Sequence, residues 1–190
     1  MKNKLPIALS NRHVHLSESD LEKLFGGGHS LCELKSLSQP GQFACEEKVD
    51  LVGPRGTIPG VRVLGPTRDI TQVEISFADA RKLGVDAPVK ESGDIEGSPG
   101  LKLVGPNGEV DMEQGAIVAA RHIHFSDKDA EEFGVSDGEK VKIKTSGDRS
   151  LVFENVTVRV SPKYSLEMHV DLEEGNAAGV SNGDLVEIIR

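Results

Sequence analysis

One short pattern occurs four times along this chain and limits what the chain can fold into. Each copy has an apolar residue, a side chain able to bind metal, a second apolar residue and then a residue that caps helices. The copies are VHLSESDLEKLFG (14–26), VEISFADARKLGV (73–85), IHFSDKDAEEFGV (123–135) and MHVDLEEGNAAGV (168–180). This regularity predicts one supersecondary unit used four times.

A short helix is predicted after each copy's capping residue. The caps are Ser17, Ser76, Ser126 and Asp171, and the acids three residues later are Asp20, Asp79, Asp129 and Glu174. This is the spacing of a capping box. A glycine follows where a C′ glycine is expected, at Gly26, Gly84, Gly134 and Gly179, with one extra residue before the glycine in the first copy. The predicted unit is strand, short helix, tight turn and strand.

The predicted strands are short and are separated by glycine turns. This favours a mainly β fold with short helices, built as small closed barrels rather than as an open parallel sheet. The segments 51–66 and 101–112 add two hairpin-like pieces. KESGDIEGSPG (90–100) is predicted to be an exposed connection between two halves.

The four repeats place four good metal ligands at the same structural position, two residues before each cap. These residues are His15, Glu74, His124 and His169. His13 and His122 stand two residues before the repeat histidines, on the same strand face about 6.5 Å away, so each pair can converge on one ion. Catalytic zinc usually takes three protein ligands and leaves one position open. The count predicts one zinc site of His13, His15 and Glu74, and a second of His122, His124 and His169.

The alternative is that these histidines line a core or bind substrate directly. His29 lies outside the pattern and is predicted to be an exposed loop residue. Arg12 and Arg121 directly precede the two histidine pairs. An arginine near two cations is unfavourable unless an anion lies between them, and its planar fork suits phosphate. For Arg68, six residues before Glu74, phosphate binding and a solvated surface role both stay open.

Composition excludes several classes of function. The net charge is −9 with no run of Lys or Arg, which argues against a nucleic-acid partner. The chain has no apolar stretch long enough for a membrane span and no signal-peptide pattern, which predicts a cytosolic protein. Cys32 and Cys45 are predicted to be reduced, buried thiols, because a disulfide is rare in the cytosol and neither belongs to a C-x-x-C motif.

The motifs SNRHVHLS, LSQPGQFACEEKVDLVGP, RVLGPTRDITQVEIS, ARHIHFS and EMHVDLEEGNAAG resemble the PduL-type phosphate acyltransferases. This family contains phosphate propanoyltransferases and acetate-forming relatives, and the resemblance covers nearly the whole chain. It implies two small β-barrels capped by short α-helices and interleaved in sequence. Barrel one would contain 1–11 plus 113–190, barrel two would contain 12–112, and the active site would lie between them.

The resemblance also implies site residues and partners. It implies the same two zinc sets, with Arg68 as the catalytic, phosphate-binding residue and a homodimer as the assembly. Coenzyme A contacts are implied at Ser10, Asn11, Arg12, Lys35, Arg62 and Asn176. Relatives sent to bacterial microcompartments carry an N-terminal extension, and here only about eight residues precede LSNRH. A cytoplasmic form or a shortened chain is therefore expected, with the microcompartment lumen as the alternative.

The implied reaction converts a short-chain acyl-CoA, propanoyl-CoA or acetyl-CoA, and phosphate into acyl phosphate and coenzyme A. In this interpretation the first zinc site stabilises the leaving thiolate, while the second ion and Arg68 position phosphate. Direct attack by phosphate is favoured over an acyl-enzyme on Cys32 or Cys45. A two-metal hydrolase of a phosphoester or thioester would use the same ligands. A non-enzymatic metal-binding module would instead need closed four-ligand sites.

Overall fold

The computed structural model describes residues 2–189, which form fifteen strands and four short helices. The chain divides into two compact units. One unit combines the residues up to Asn11 with those from Ala120 onward, and the other is Arg12–Ala119. The interleaving implied by the resemblance is thus confirmed. The first crossing between the units falls directly before Arg12, and the second falls one residue before Arg121, so each lies next to an R-H-x-H segment.

The first unit is a closed six-stranded barrel with two helices. Its elements are β1 (Lys4–Ser10), β11 (His122–Phe125), α3 (Asp127–Phe133), β12 (Lys140–Lys144), β13 (Val152–Val160), β14 (Glu167–Asp171), α4 (Leu172–Ala178) and β15 (Leu185–Ile189). Around the barrel the strand order is β1, β14, β11, β13, β12, β15. The ring closes where β15 pairs antiparallel with β1.

The core of this barrel follows from the alternation of its strands. In β12, KVKIK, the lysines are exposed while Val141 and Ile143 are buried, as expected for a strand with one solvated face. Phe125 of β11 packs edge-to-face on Phe133 of α3, with ring centroids 5.4 Å apart. Burying an aromatic side chain of this size contributes about 1.5–3 kcal/mol, so this contact fixes α3 against the barrel.

The second unit is a curled nine-stranded sheet with two helices. Its elements are β2 (His13–His15), α1 (Glu18–Phe25), β3 (Glu33–Ser36), β4 (Phe43–Val52), β5 (Thr57–Gly65), β6 (Gln72–Glu74), α2 (Phe77–Leu83), β7 (Val89–Lys90), β8 (Lys102–Val104), β9 (Glu109–Asp111) and β10 (Ala116–Ala119). The sheet order is β7, β10, β6, β2, β5, β4, β8, β9, with β3 paired to β4. Within residues 2–189 its end strands do not pair with each other. The mainly β class is confirmed, with one barrel closed and the other open.

Two sequence expectations change in this unit. β10 pairs with β6 and β7, which places the unit boundary after residue 119 rather than after residue 112. The segment 90–100, predicted to be an exposed connection between halves, lies inside this unit and contains the buried Ser98. The two predicted hairpins do form, as β4–β5 and β8–β9.

All four predicted helices begin at their predicted caps. The cap side chains of Ser17, Ser76, Ser126 and Asp171 each accept a hydrogen bond from the amide three residues later. Three of the four C-terminal glycines are left-handed, whereas Gly26 leaves the longer α1 at φ 103° and ψ 153°. The helices have seven or eight residues, and none formed by residues 2–189 is both long and apolar enough to cross a membrane.

Candidate active site

In the second unit, the antiparallel strands β2 and β6 place three predicted ligands on one face. Their register pairs His13 with Glu74 and His15 with Gln72. The valines between these residues belong to the hydrophobic core, so the alternating polar residues share the opposite face. These four polar side chains are nevertheless buried. Burial of so many polar groups on a three-residue strand pair indicates a built site.

The donor atoms of this first group converge. His13 Nε2 lies 3.4 Å from one Glu74 oxygen, and His15 Nε2 lies 4.0 Å from the other. The ligand atoms of the three residues all lie within 4.8 Å of one another. Two donors bound tetrahedrally at about 2.1 Å are about 3.4 Å apart. Small side-chain movements would therefore let this group hold one ion.

Glu74 is held by hydrogen bonds from outside the ligand group. Gln72 Nε2 and Ser92 Oγ each donate to Glu74 Oε1 at 2.7 Å. Gln72 is held in turn, because its Oε1 accepts from the Gly93 amide at 2.7 Å. These bonds fix which carboxylate face meets the histidines, as outer-shell partners do in metal sites. Sequence reasoning missed Ser92, which lies in the segment expected to be only a connection.

The electrostatics favour the ligand forms of His15 and Glu74. The pKa of His15 is lowered to about 3, first by burial and then by the positive charges of His13 and Arg68. Burial opposes ionisation of Glu74, but the charge and hydrogen bond of His13, with His15 and Ser92, hold its pKa well below the usual value. A neutral imidazole and an ionised carboxylate are the forms that bind metal.

Arg68 lies beside this first group. Its Nη1 donates to Ser92 Oγ at 3.1 Å, and the Ser92 hydroxyl donates to Glu74. Its backbone amide donates to the Leu16 carbonyl at 2.9 Å, which ties it to the residue after β2. The Arg68 charge acts on His15. The sequence interpretation pairs Arg68 with the second ion, and that pairing stays a prediction.

In the first unit, the antiparallel strands β11 and β14 repeat the arrangement. Their register pairs His122 with His169 and His124 with Glu167. The ligand atoms of the three histidines all lie within 4.8 Å of one another, and their ring centroids are 4.7–5.2 Å apart. Both predicted ligand sets are therefore brought together, each within its own unit.

The imidazoles of this second group also fit a metal ion. His122 Nδ1 lies 2.9 Å from the Ala120 carbonyl, which can only accept, so Nδ1 carries a proton and Nε2 is the atom left to face a metal ion. His124 Nδ1 is buried and makes no hydrogen bond, an uncommon state for a buried polar atom. The pKa of His124 is lowered to about 2, first by burial and then by the charges of His122 and His169.

Three residues near the second group were missed by sequence reasoning. Glu167 Oε2 lies 3.2 Å from His169 Nε2. Arg159 stands opposite His124 in the β11–β13 register, and its charge contributes to the lowered pKa of His124. The Tyr164 ring centroid lies 4.2 Å from that of His124. Only Glu167 had a signal, since it precedes the third ligand by two residues as Gln72 does in the first group.

The residues implied to contact coenzyme A are spread over both units. Ser10, Asn11 and Asn176 belong to the first unit, and Arg12, Lys35 and Arg62 to the second. Lys35 is exposed on β3. Arg62 Nη1 donates to the Cys45 and Glu46 carbonyls, at 2.6 and 3.4 Å. The coenzyme A contacts stay predictions.

The cysteines do not support an acyl carrier. Cys45 is buried and Cys32 is exposed, although both were predicted to be buried, and both are free thiols. Burial and the nearby Glu47 raise the pKa of Cys45 to about 11, and Glu47 also raises that of Cys32. Raised pKa values disfavour the reactive thiolate.

His29, predicted to be exposed, is half-buried, lies 2.8 Å from Glu47 and stacks on Phe25.

The fold and the two groups define a class: a mainly β protein with two candidate transition-metal sites. Each site is built from an H-x-H strand and a third ligand on its antiparallel neighbour. A guanidinium lies near each group, since the charges of Arg68 and Arg159 act on His15 and His124. Such sites are typical of enzymes that act on anionic substrates.

Comparison with known proteins identifies the family. The family model for phosphate propanoyltransferase matches residues 6–181. The phosphate propanoyltransferase of Thermotoga maritima is 55% identical over 185 residues, which cover 97% of this chain and 88% of that protein. The enzymes of the same name from Clostridioides difficile and Salmonella typhimurium are 50% and 52% identical, covering 98% and 94% of this chain and 89% and 85% of theirs. The chain belongs to the phosphate propanoyltransferase family and is an acyltransferase.

Proposed function

We propose that this protein interconverts a short-chain acyl-CoA plus phosphate with acyl phosphate plus coenzyme A, using two metal ions, for which zinc is the best match. The main support for this proposal is the presence of two groups of three metal-binding side chains, one of which has Arg68 beside it. The name of the relatives supports propanoyl as the acyl group. The homodimer and the cytoplasmic location stay predictions of this proposal.

The donor sets suit zinc. Two imidazoles with a carboxylate, and three imidazoles, are ligand sets that catalytic zinc sites use, and three ligands leave a position open for substrate. A bound zinc ion would supply a Lewis acid that stabilises developing negative charge, including that of a leaving thiolate. Burial, and then the charges of His122 and His169, lower the pKa of His124 to about 2, which keeps the His124 imidazole in its neutral, metal-binding form.

Arg68 is assigned to phosphate. The guanidinium presents a planar fork that matches two phosphate oxygens. Its bond to Ser92, which is itself bonded to Glu74, orients the fork relative to the first group before substrate arrives. Its charge offsets repulsion between phosphate and the oxyanion that develops on the thioester. Holding phosphate in line also supplies proximity, which contributes several kcal/mol in general.

Phosphate attacks the thioester directly in this proposal. A phosphate oxygen bonds to the carbonyl carbon, the carbon–sulfur bond breaks, and its electron pair leaves on the sulfur of coenzyme A. The Ser92 hydroxyl is a poor nucleophile here because it donates to Glu74 and accepts from Arg68 and Gln72. These three bonds use the donor and both lone pairs of a hydroxyl. The raised pKa of Cys45 argues against a thiol nucleophile.

The test measures both directions on protein of known metal content, with propanoyl-CoA and acetyl-CoA. A transferase releases coenzyme A only when phosphate is present and forms acyl-CoA from acyl phosphate. A two-metal hydrolase, the second candidate, releases coenzyme A without phosphate and cannot run the reverse reaction. Release independent of phosphate would therefore overturn the proposal.

Arg68→Lys tests the phosphate assignment. Lysine keeps the charge but loses the fork, and losing a charge-assisted hydrogen bond costs about 1.5–3 kcal/mol. We expect kcat/KM for phosphate to fall about 10- to 150-fold, with little change in the KM for coenzyme A and full metal occupancy. Arg81→Lys, at an exposed position on α2, is the matched control. Unchanged phosphate kinetics would remove Arg68 from the site.

A further inference from the structure

Both R-H-x-H segments use their arginine in the same way. Arg12 Nε lies 2.8 Å from Asp79 Oδ2, and Arg121 Nε lies 2.9 Å from Glu174 Oε1. Asp79 is the third residue of α2, and Glu174 is the third residue of α4. Two arginines at equivalent positions thus contact acids at equivalent positions, although the units differ in sheet topology.

Each ion pair joins the two strands that supply one ligand group. Arg12 directly precedes β2, which carries two histidines, while α2 directly follows β6, which ends at Glu74. In the other unit Arg121 directly precedes β11, and α4 directly follows β14, which contains His169. Each arginine therefore connects an H-x-H pair to the helix behind the third ligand.

The acid that receives the arginine also fixes the start of its helix. Asp79 Oδ2 accepts from the Ser76 amide, and Glu174 Oε2 accepts from the Asp171 amide, both at 3.3 Å. These bonds complete the two capping boxes of the structure's described residues. Asp79 is buried, where a charge-assisted bond is stronger than a solvated surface pair. In each unit, one carboxylate thus contacts both the arginine and the cap amide that follows the third ligand's strand.

The acids of the other two repeats have different contacts. Asp20 of α1 accepts from the Thr71 hydroxyl at 2.6 Å, and Thr71 directly precedes β6. This bond runs in the reverse sense, from the third-ligand strand to the helix behind the H-x-H pair. Asp129 of α3 accepts from the hydroxyl of its own cap, Ser126, at 2.6 Å. The arginine contacts are therefore a property of the third-ligand helices rather than of every capping acid.

We propose that Arg12 and Arg121 are positioning residues, which set the spacing between each histidine pair and its third ligand through Asp79 and Glu174. The inference rests on the metal sites of the proposed function and deepens it. Neither arginine acts on a substrate in this role. Their ion pairs hold two ligand strands in the geometry that a single ion requires.

The test measures metal affinity, because activity alone cannot separate positioning from catalysis. Full-length protein stripped of metal is titrated with Co(II), whose absorption reports ligand geometry, and with Zn(II) against a chromophoric chelator. Site assignment uses His15→Ala and His124→Ala backgrounds, each of which leaves one intact group. We expect Arg12→Ala to weaken only the first group and Arg121→Ala only the second, each about 10- to 100-fold. The lysine variants keep a charge and should restore part of the affinity.

Further variants keep the result interpretable if an alanine variant fails to fold. Asp79→Asn and Glu174→Gln retain an oxygen for the cap amide but lose the charge, so they should reproduce the arginine variants. Combining Arg12→Ala with Asp79→Asn, or Arg121→Ala with Glu174→Gln, should lower metal affinity no more than the more damaging single variant does. The reason is that both members of each pair remove the same interaction. Lys102→Ala and Lys142→Ala are matched controls. They break ion pairs with Glu109 and Glu154, at 2.7 and 2.8 Å, that reach no ligand strand.

The outcomes separate this inference from the proposed function. If wild-type protein binds two ions and the arginine and acid variants bind them with unchanged affinity, the positioning role is overturned and the metal sites stand. An equal loss of metal affinity at both groups would also overturn it, and so would a loss of metal affinity in Lys102→Ala or Lys142→Ala. Either result would indicate a general effect on folding. If wild-type protein binds no metal, the metal part of the proposed function fails, and this inference fails with it.

Discussion

The two candidate metal groups share one strand frame but differ in donor chemistry. The first has two imidazoles and a carboxylate, and the second has three imidazoles. Glu74 needs Gln72, Ser92 and, through Gln72, Gly93 to hold its orientation. His122 directs its Nδ1 to a backbone carbonyl, that of Ala120, at 2.9 Å. The repeat thus sets where a ligand's backbone lies, while the type of side chain sets how much support the ligand needs.

The sheets differ in a matching way. In the closed barrel of the first unit every strand has two neighbours, whereas the sheet of the second unit ends at β7 and β9. Strand pairing on both sides limits local opening. In the open sheet, the start of each ligand strand contacts the helix that follows the other ligand strand. Arg12, before β2, contacts Asp79 of α2, and Thr71, before β6, contacts Asp20 of α1. We therefore expect the first group to depend more strongly on side-chain supports than the second.

Removing one ligand histidine from each group gives the largest expected effect. His15→Ala and His124→Ala should each lose one metal ion and leave the other, because the two groups share no ligand. Elemental analysis of protein purified without chelator measures the loss, with His29→Ala as the control outside both groups. Loss of both ions from either variant would break the comparison, since it would mean that the groups are interdependent.

A change in the Glu74 supports should come next in size. Gln72→Leu removes a donor to Glu74 and should weaken metal at the first group about 10- to 100-fold, without change at the second. Gln114→Leu, at an exposed position, is the matched control, and chelator competition is the measurement. If Gln72→Leu does not change metal affinity at the first group, Glu74 does not depend on its hydrogen bond from Gln72. The proposed difference in side-chain support between the two groups would then be wrong.

Loss of a helix cap should have a smaller and more equal effect. Ser76→Ala and Ser126→Ala each remove a bond to the amide three residues later and should each cost about 1 kcal/mol of unfolding free energy. Each should also weaken metal binding in its own unit, because the cap fixes the end of a ligand strand. Urea unfolding with and without metal measures both effects. Ser150→Ala, at an exposed position outside the four caps, is the comparison.

The smallest expected effect is confined to the second unit and appears with pH. Glu47 accepts from the Cys32 amide and contacts His29. Burial opposes its ionisation, but His29 and backbone amides lower its pKa. A carboxyl with a lowered folded pKa stabilises the protein above its unfolded value, about 4.5, and this contribution is lost as pH falls through the folded pKa.

Glu47→Gln should therefore be slightly less stable than wild type at pH 7 and show a shallower loss of stability below about pH 4.5. Urea unfolding at several pH values measures this difference. Parallel pH profiles of the two proteins would remove Glu47 as a source of acid sensitivity in the second unit.

Local patterns made part of this molecule predictable. The helix starts and the H-x-H pairs follow from residues within a few positions of one another, such as His13, His15 and Ser17. The third ligands, Glu74 and His169, follow from the register of the repeat, and the structure has them close to the histidine pairs. Ser92, Arg159 and Tyr164 come from segments outside the repeat, and their places depend on sheet register. The unit boundary was misplaced because Ala116–Ala119 runs on toward His122 without a turn signal, while its pairing partner is β6.

The interleaved barrel has a consequence for synthesis. β1 leaves the ribosome first, but its partners β14 and β15 end at Asp171 and Ile189. The whole of Arg12–Ala119 is made in between and has its own hydrophobic cluster. At about 5–20 residues per second, β1 waits roughly ten to thirty seconds with an apolar face that includes Leu5 and Ile7 and no strand to cover it. Until β14 and β15 are made, this strand is open to chaperones and to aggregation.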